Sequence, residues 1–163
     1  MKKPTKDALR SVHVRPIAKQ EKVFFDEIMA AEHPLGATPS IGRCIHYVAE
    51  FEDEWVCLLS FGASARHLKA RDGWIGWSKA QRRMRVNLVV NNTRFLCRSK
   101  PGEMPNLASR VLKLTLDRLE KDWLRAFEFA PLLAETFVDP EAHAGSCYKA
   151  SGWIELGHTA GYK

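Results

Sequence analysis

The chain has 163 residues, 45% hydrophobic and 27% charged, with a net charge of +6; that length supports one domain with one sizeable core, and the balance is ordinary for a soluble globular protein. No apolar run reaches membrane-spanning length, and the basic start Met1-Lys2-Lys3-Pro4-Thr5-Lys6 is followed by no apolar signal core, so no membrane association and a cytoplasmic location are expected. The positive balance, with a pI of about 9.3, favours an anionic partner without identifying one.

Residues 1–10 read as a flexible leader and residues 11–163 as a single domain. Val12, Val14 and Ile17 alternate within Ser11–Ile17, which predicts a first strand ending near Pro16. Val23, Phe24, Ile28 and Ala31 recur at helical spacing over Gln20–Ala31, and Pro34 disfavours helix at His33. After a Thr38–Arg43 loop, Cys44–Phe51 and Trp55–Phe61 read as two strands joined by the polar hairpin Glu52-Asp53-Glu54. Ala63, Ala65, Leu68 and Ala70 suggest a helical turn that Arg71-Asp72-Gly73 breaks, before the apolar cluster Trp74-Ile75-Gly76-Trp77. Ser78 is placed to cap a short basic helix to Met84. Val86–Cys97 is a strand with polar Asn91-Asn92-Thr93 in its middle, and Arg98–Pro105 is a loop. Asn106 then caps the longest helix, Leu107 to about Phe127, which buries Leu107, Val111, Leu114, Leu119 and Trp123. A strand over Pro131–Asp139, a helix over Ala142–Ser151 and a final strand over Ile154–Gly161 complete the chain. The order β-α-β-β-(short helices)-β-α-β-α-β, with right-handed crossovers in its later half, predicts an α/β fold with a mixed central sheet and helices on both faces.

Cys44, Cys57, Cys97 and Cys147 are widely spaced, form no C-x-x-C pair and have no His at zinc-finger spacing. Three of them lie in apolar or strand-like text and are expected to be buried thiols, and neither a disulfide framework nor a metal site is expected. Charge is uneven: no acidic residue falls between Asp72 and Glu103, whereas Lys79, Arg82, Arg83, Arg85, Arg94, Arg98 and Lys100 all do. This stretch is either a solvated face or a surface for phosphate, on a nucleotide carrier or on DNA or RNA. Trp74 and Trp77 beside it either stack on bases or anchor the core.

The helix and turn AGSCYKASGW, with Ala144, Tyr148 and Gly152-Trp153, resemble the A-x-x-x-Y-x-x-x-G-aromatic helix of the GNAT-like N-acyltransferase fold, and Glu155-Leu156-Gly157 would open its final strand. A second resemblance covers nearly the whole chain. It is carried by Trp74-Ile75-Gly76-Trp77-Ser78, Val89-Val90-Asn91-Asn92-Thr93-Arg94-Phe95-Leu96, Pro105-Asn106-Leu107-Ala108-Ser109, Glu135-Thr136-Phe137-Val138-Asp139-Pro140 and Cys147-Tyr148-Lys149-Ala150. These strings are similar to the family that includes the DruA component of the Druantia anti-phage system, whose relatives also occur beside or within transposon-encoded proteins. The resemblance implies defence or mobile-element biology and carries no established reaction with it. Relatives often continue past the final strand, so the ending Gly161-Tyr162-Lys163 reads as a short member or a trimmed chain.

In the GNAT-like fold a Gly-rich loop after the fourth strand bares N–H groups at a helix N-terminus, which grip the pyrophosphate of the acyl carrier. The matching stretch here, Arg98 to Ser109, holds one glycine, and Pro105 removes a donor. Arg98 and Lys100 supply charge, and after Asn106 the N–H groups of Leu107, Ala108 and Ser109 are the candidate cradle. Tyr148 is the candidate general acid for the leaving thiolate, or else an amphipathic Tyr with its ring in the core. Glu135, with Leu133 and Phe137 on its face, is the candidate general base, or else the partner of Arg94 or Arg98. Asn91, Asn92 and Arg94 either hold a bulge open at the cleft or close an internal hydrogen-bond network. Two functions follow. One is a transferase that moves an acyl or aminoacyl group from acyl-CoA or a charged RNA, without a metal. The other is a non-enzymatic module whose stretch Lys79 to Lys100 binds DNA or RNA, alongside other defence-system or transposon proteins.

Overall fold

A computed structural model of the protein describes residues 6–37, 41–100, 102–139 and 145–159. Five strands form one sheet in chain order: β1 (His13–Pro16), β2 (Ile45–Phe51), β3 (Glu54–Ala63), β4 (Val89–Cys97) and β5 (Leu133–Glu135). The first three junctions are antiparallel and the β4–β5 junction is parallel. The helices are α1 (Lys6–Arg10), α2 (Lys22–Glu32), α3 (Lys69–Ile75), α4 (Lys79–Arg85), α5 (Leu107–Phe127) and α6 (Ser146–Ala150). This is the mixed α/β architecture that the element order implies. The β2–β3 hairpin is tight because Glu52 and Asp53 both adopt positive φ, 50° and 64°, a turn whose twist matches that of the flanking strands.

Strand alternation sorts the core into two layers. Tyr47, Ala49, Leu59 and Phe61 pack with Leu107, Val111, Leu112, Leu119 and Trp123 of α5. Val48, Leu58 and Leu96 pack with Phe25, Ile28 and Met29 of α2. Each fully buried Val, Leu, Phe or Met among them contributes about 1.5–3 kcal/mol relative to exposure. Leu112 takes the fully buried place on α5 that the helical pattern gives to Leu114, which is only partly covered. Polar contacts fix the depth of α5: the Tyr47 hydroxyl donates to Asp122 at 2.8 Å, and Arg118 donates to Asp122 at 2.7 Å and to the Val14 carbonyl at 2.6 Å.

Several boundaries differ from the sequence reading, each for a local reason. Lys6–Arg10 of the expected leader forms α1, and Leu9 packs against the α5 layer. Arg71-Asp72-Gly73 does not break a helix but lies inside α3, because Arg71 is buried and the helix ends only at Gly76, with φ 78°. Val86–Leu88 is a 3-10 turn ahead of β4. The strand expected over Pro131–Asp139 shrinks to Leu133–Glu135, the residues that pair with Val89–Asn91. The helix expected from Ala142 is described from Ser146, and Ala144 lies outside the described residues. Residues 154–159 form no strand: Ile154 is 67% and Leu156 39% exposed, so neither face of that alternation is covered.

Candidate functional site

β4 and β5 pair only through Val89–Asn91 and Leu133–Glu135 and then separate, leaving a fork. The fork is deepened by a bulge in β4. Ser60 pairs with Arg94 and Phe61 with Asn92, so Thr93 is an extra residue, which bends the strand and disrupts the local ladder. Asn92 is 4% exposed and fills the disruption: its side-chain amide donates to the carbonyls of Ser60 and Arg94, both at 3.0 Å. On the other side of the fork, Thr136 Oγ1 donates to the Asn92 carbonyl at 3.0 Å. At Asn92 the bulge and a hydrogen-bond network coincide, whereas Asn91 Oδ1 is buried with no partner among the described residues.

Tyr148 enters the fork from α6, and its hydroxyl donates to Asn92 Oδ1 at 2.7 Å. Its ring stands against those of Trp153, with centroids 5.0 Å apart, and Phe95, at 6.3 Å. The chain delivers it there by a short turn of helix: Gly145 opens α6 at φ 68°, Gly152 leaves it at φ 85°, and Trp153 N donates back to the Tyr148 carbonyl at 3.0 Å. Burial pushes the Tyr148 phenol up to about 12, with a Thr136 hydrogen bond acting in the opposite sense. A phenol so placed stays protonated at neutral pH and is available as a donor.

Next to the fork, at the N-terminus of α5, lies a cavity of about 340 Å³. Lys100, Asn106, Leu107, Ala108 and Ser109 line it, so five of the six residues expected to hold a carrier come together. The sixth does not: Arg98 donates to Glu32 at 3.2 Å and to the Trp55 carbonyl at 3.0 Å. Asn106 is not an N-cap of the usual kind. It sits at φ 66° without a side-chain cap bond, and Leu107 N donates to the Met104 carbonyl at 3.2 Å. Cys147, one residue before Tyr148, and Cys97 also line the cavity, so α6 is shared between cavity and fork. The two cysteines were not read as site residues, because nothing in their spacing brings them together.

Glu135 faces α3. Its carboxylate accepts from Arg71 at 2.9 and 3.0 Å and from Ala65 N at 3.0 Å. Arg71, 3% exposed, also donates to Asp72 and to the Ala65 carbonyl. The expected apolar setting, and the alternative pairing with Arg94 or Arg98, are both corrected by this network, which takes up both oxygens of the carboxylate. Arg94 instead donates to the carbonyls of Gly36 and Thr93 at 3.0 and 2.8 Å.

The basic stretch does not form one surface. Lys79, Arg83 and Arg85 are exposed on α4, whereas Arg82 turns back to Asp72 at 3.8 Å. Arg94 and Arg98 lie by the end of α2, and Lys100 at the cavity. The two tryptophans divide: Trp77 Nε1 donates to Asp72 at 3.0 Å as an anchor, and Trp74 is 54% exposed. Among the described residues no helix is long and apolar enough to cross a membrane.

The sequence model of the family described as "Druantia protein DruA" matches residues 2–162. No curated protein matches the chain. Among solved structures, an aminoglycoside acetyltransferase from an uncultured soil metagenomic sample, crystallised in complex with trehalose, is similar over 94% of this chain and 97% of its own, with a TM-score of 0.54 and 9% identity. At that identity the likeness speaks for the fold, and it is a GNAT-like acetyltransferase fold.

Proposed function

This chain belongs to the DruA family, and we propose that it serves a Druantia-type defence system as an acyltransferase, taking an acyl group from acyl-CoA or a related carrier. The observation that carries the reading is that α6 puts Tyr148 in the β4–β5 fork while its preceding residues Ser146 and Cys147 line the cavity at the start of α5. That cavity is open to solvent and at the low end of the size range of small-molecule sites; Lys100 and the α5 N-terminus supply positive charge for phosphate, with Leu107 N already held by the Met104 carbonyl. The chain offers no Gly-rich loop, so Lys100 and Ser109 carry more of the grip than backbone donors do.

In this reading an acceptor amine adds to the thioester carbonyl, a C–N bond forms and the C–S bond breaks. The amine gives up a proton to solvent as the amide forms, and Tyr148 gives its own proton to the departing sulfur and is reprotonated from solvent. Asn92, which accepts from the phenol at 2.7 Å, keeps the hydroxyl in the fork between turnovers. Glu135 anchors α3 and is not assigned the base. The test is Tyr148→Phe, assayed against a panel of amine acceptors with acetyl-CoA. Loss of a general acid lowers turnover by about 10²–10⁴-fold, while the lost hydrogen bond costs about 1 kcal/mol of stability. Full turnover in a folded variant would rule out the acid role.

A second reading rests on α4, where Lys79, Arg83 and Arg85 are exposed, a few residues along the chain from Trp74, which is 54% exposed. Cations beside a free aromatic suit a single-stranded nucleic acid, by phosphate contact and base stacking. In that reading the fold is a scaffold within a defence or transposition complex.

A further inference from the structure

Cys57 and Cys97 are forty positions apart in sequence but directly opposite one another across β3 and β4. Arg98 N, just outside the pair, donates to the Val56 carbonyl at 2.8 Å. That bond places Cys57 and Cys97 at a non-hydrogen-bonded site of the ladder, where facing Cα atoms stand about 4.5 Å apart with their side chains on one face. A disulfide spans Cα separations of about 4.4–6.8 Å, so these two residues can be linked without moving the strands. Cys57 is fully buried, while Cys97 is half-buried in the wall of the cavity at α5, within 3.3 Å of Ser99 Oγ. One thiol of the pair is therefore reachable and the other is shielded behind it.

We propose that Cys97 and Cys57 form a reversible dithiol–disulfide couple, in which Cys97 attacks an anionic low-molecular-weight disulfide of the glutathione kind and Cys57 resolves the product. The Cys97 thiol is lowered to about 6, chiefly by the hydrogen bond from Cys57 and further by Ser99, while Cys57 is raised as the donor of that bond and by burial. The attacking sulfur is thus a thiolate at neutral pH and the resolving one is kept protonated until needed, as thiol exchange requires. Lys100 and the α5 N-terminus beside Cys97 suit the carboxylates of such a disulfide.

In the first step the Cys97 thiolate forms a bond to one sulfur of the small disulfide, whose S–S bond breaks and whose other half leaves as a thiolate. That thiolate takes the proton released by Cys57. Cys57 then attacks Cys97 Sγ, a protein S–S bond forms, and the second small thiol departs with a proton from solvent. Two cysteine thiols are oxidised by two electrons and one small disulfide is reduced to two thiols. The couple shares this cavity and Lys100 with the proposed acyl carrier, but its products are read by mass without any acyl transfer.

The test treats the full chain, in a Cys44→Ser background, with oxidised glutathione and reads intact mass and linked peptides. The expected result is loss of two hydrogens, a Cys57–Cys97 cross-link reversed by dithiothreitol, arrest at a single mixed disulfide on Cys97 in Cys57→Ser, and no product in Cys97→Ser. On the unmodified chain, iodoacetamide labelling of Cys97 should reach half its plateau near pH 6. A cross-link from Cys97 to Cys147 instead, unchanged uptake in Cys97→Ser, or labelling of Cys97 that rises only near the ordinary thiol range would overturn the proposal.

Discussion

At the residue scale, the polar groups inside the sheet set what the protein tolerates. His46, 8% exposed, packs on Phe25 with ring centroids 5.0 Å apart and meets Ser60 Oγ at 2.8 Å. Burial holds its pKa below the ordinary 6.5, with Lys22 acting in the same sense and Asp26 against it. The unfolded chain therefore takes up a proton at pH values where the folded chain does not, and stability falls as pH drops below 6.5 toward the folded pKa. Denaturant unfolding from pH 7.5 downward should show this loss in the native chain and not in His46→Gln; equal slopes would contradict it. Below that window Glu21, pulled to about 2 mainly by its hydrogen bond with Arg15, adds a separate loss as pH falls through the carboxylate range. The sequence placed Tyr148 on a short helix ending at Gly152-Trp153, where the structure has it, and left a general acid and a core tyrosine as its two roles. Asn92 was legible only as a polar oddity, since its three partners come from β3, β4 and α6.

At the scale of elements, α3 and α4 are joined to the sheet through one buried cluster. Arg71 binds both Asp72 and Glu135 there, and Trp77 and Arg82 attach through Asp72. Removing one member of a buried ion pair leaves an uncompensated charge and costs about 3–5 kcal/mol. Arg71→Ala should lower the unfolding free energy by that amount, whereas Arg71→Met combined with Glu135→Leu should recover most of it. A loss below about 1 kcal/mol in Arg71→Ala, the range of a surface pair, would show that the cluster is not structural. This element was hidden from sequence reasoning for a physical reason: Arg-Asp-Gly is turn chemistry in isolation, and only β5, more than sixty residues later, supplies the carboxylate that buries the Arg. The long helix α5 was readable from its apolar stripe alone, because 3.6-residue periodicity needs no knowledge of partners. Its start was less so, as Asn106 takes the left-handed conformation rather than capping.

For the molecule as a whole, the order of elements was enough to imply a mixed sheet with helices on both faces, and the strings shared with the DruA family were enough to imply the family. The final strand was not supported, because alternation in 154–159 finds no covering layer among the described residues. The net charge of +6 is spread by folding over separate places: an α4 group, a pair by α2 and Lys100 at the cavity. If α4 binds nucleic acid, reversing Lys79, Arg83 and Arg85 together should abolish binding to single-stranded DNA or RNA and flatten its salt dependence. Reversing Arg82 alone should instead act on stability through Asp72. Binding that survives the triple reversal would remove α4 as the contact surface.

The central claim is that the cavity at the start of α5 accepts an acyl carrier beside Tyr148. The most direct measurement is thermal melting of the full chain with and without acetyl-CoA, repeated with Lys100→Glu. A ligand at a hundred times its dissociation constant adds about 2.7 kcal/mol to the folded state, which raises the midpoint of a chain this size by roughly 5–10 °C. The account predicts a rise of that order in the native chain and a much smaller one in Lys100→Glu; no rise in the native chain, or an equal rise in both, would contradict it.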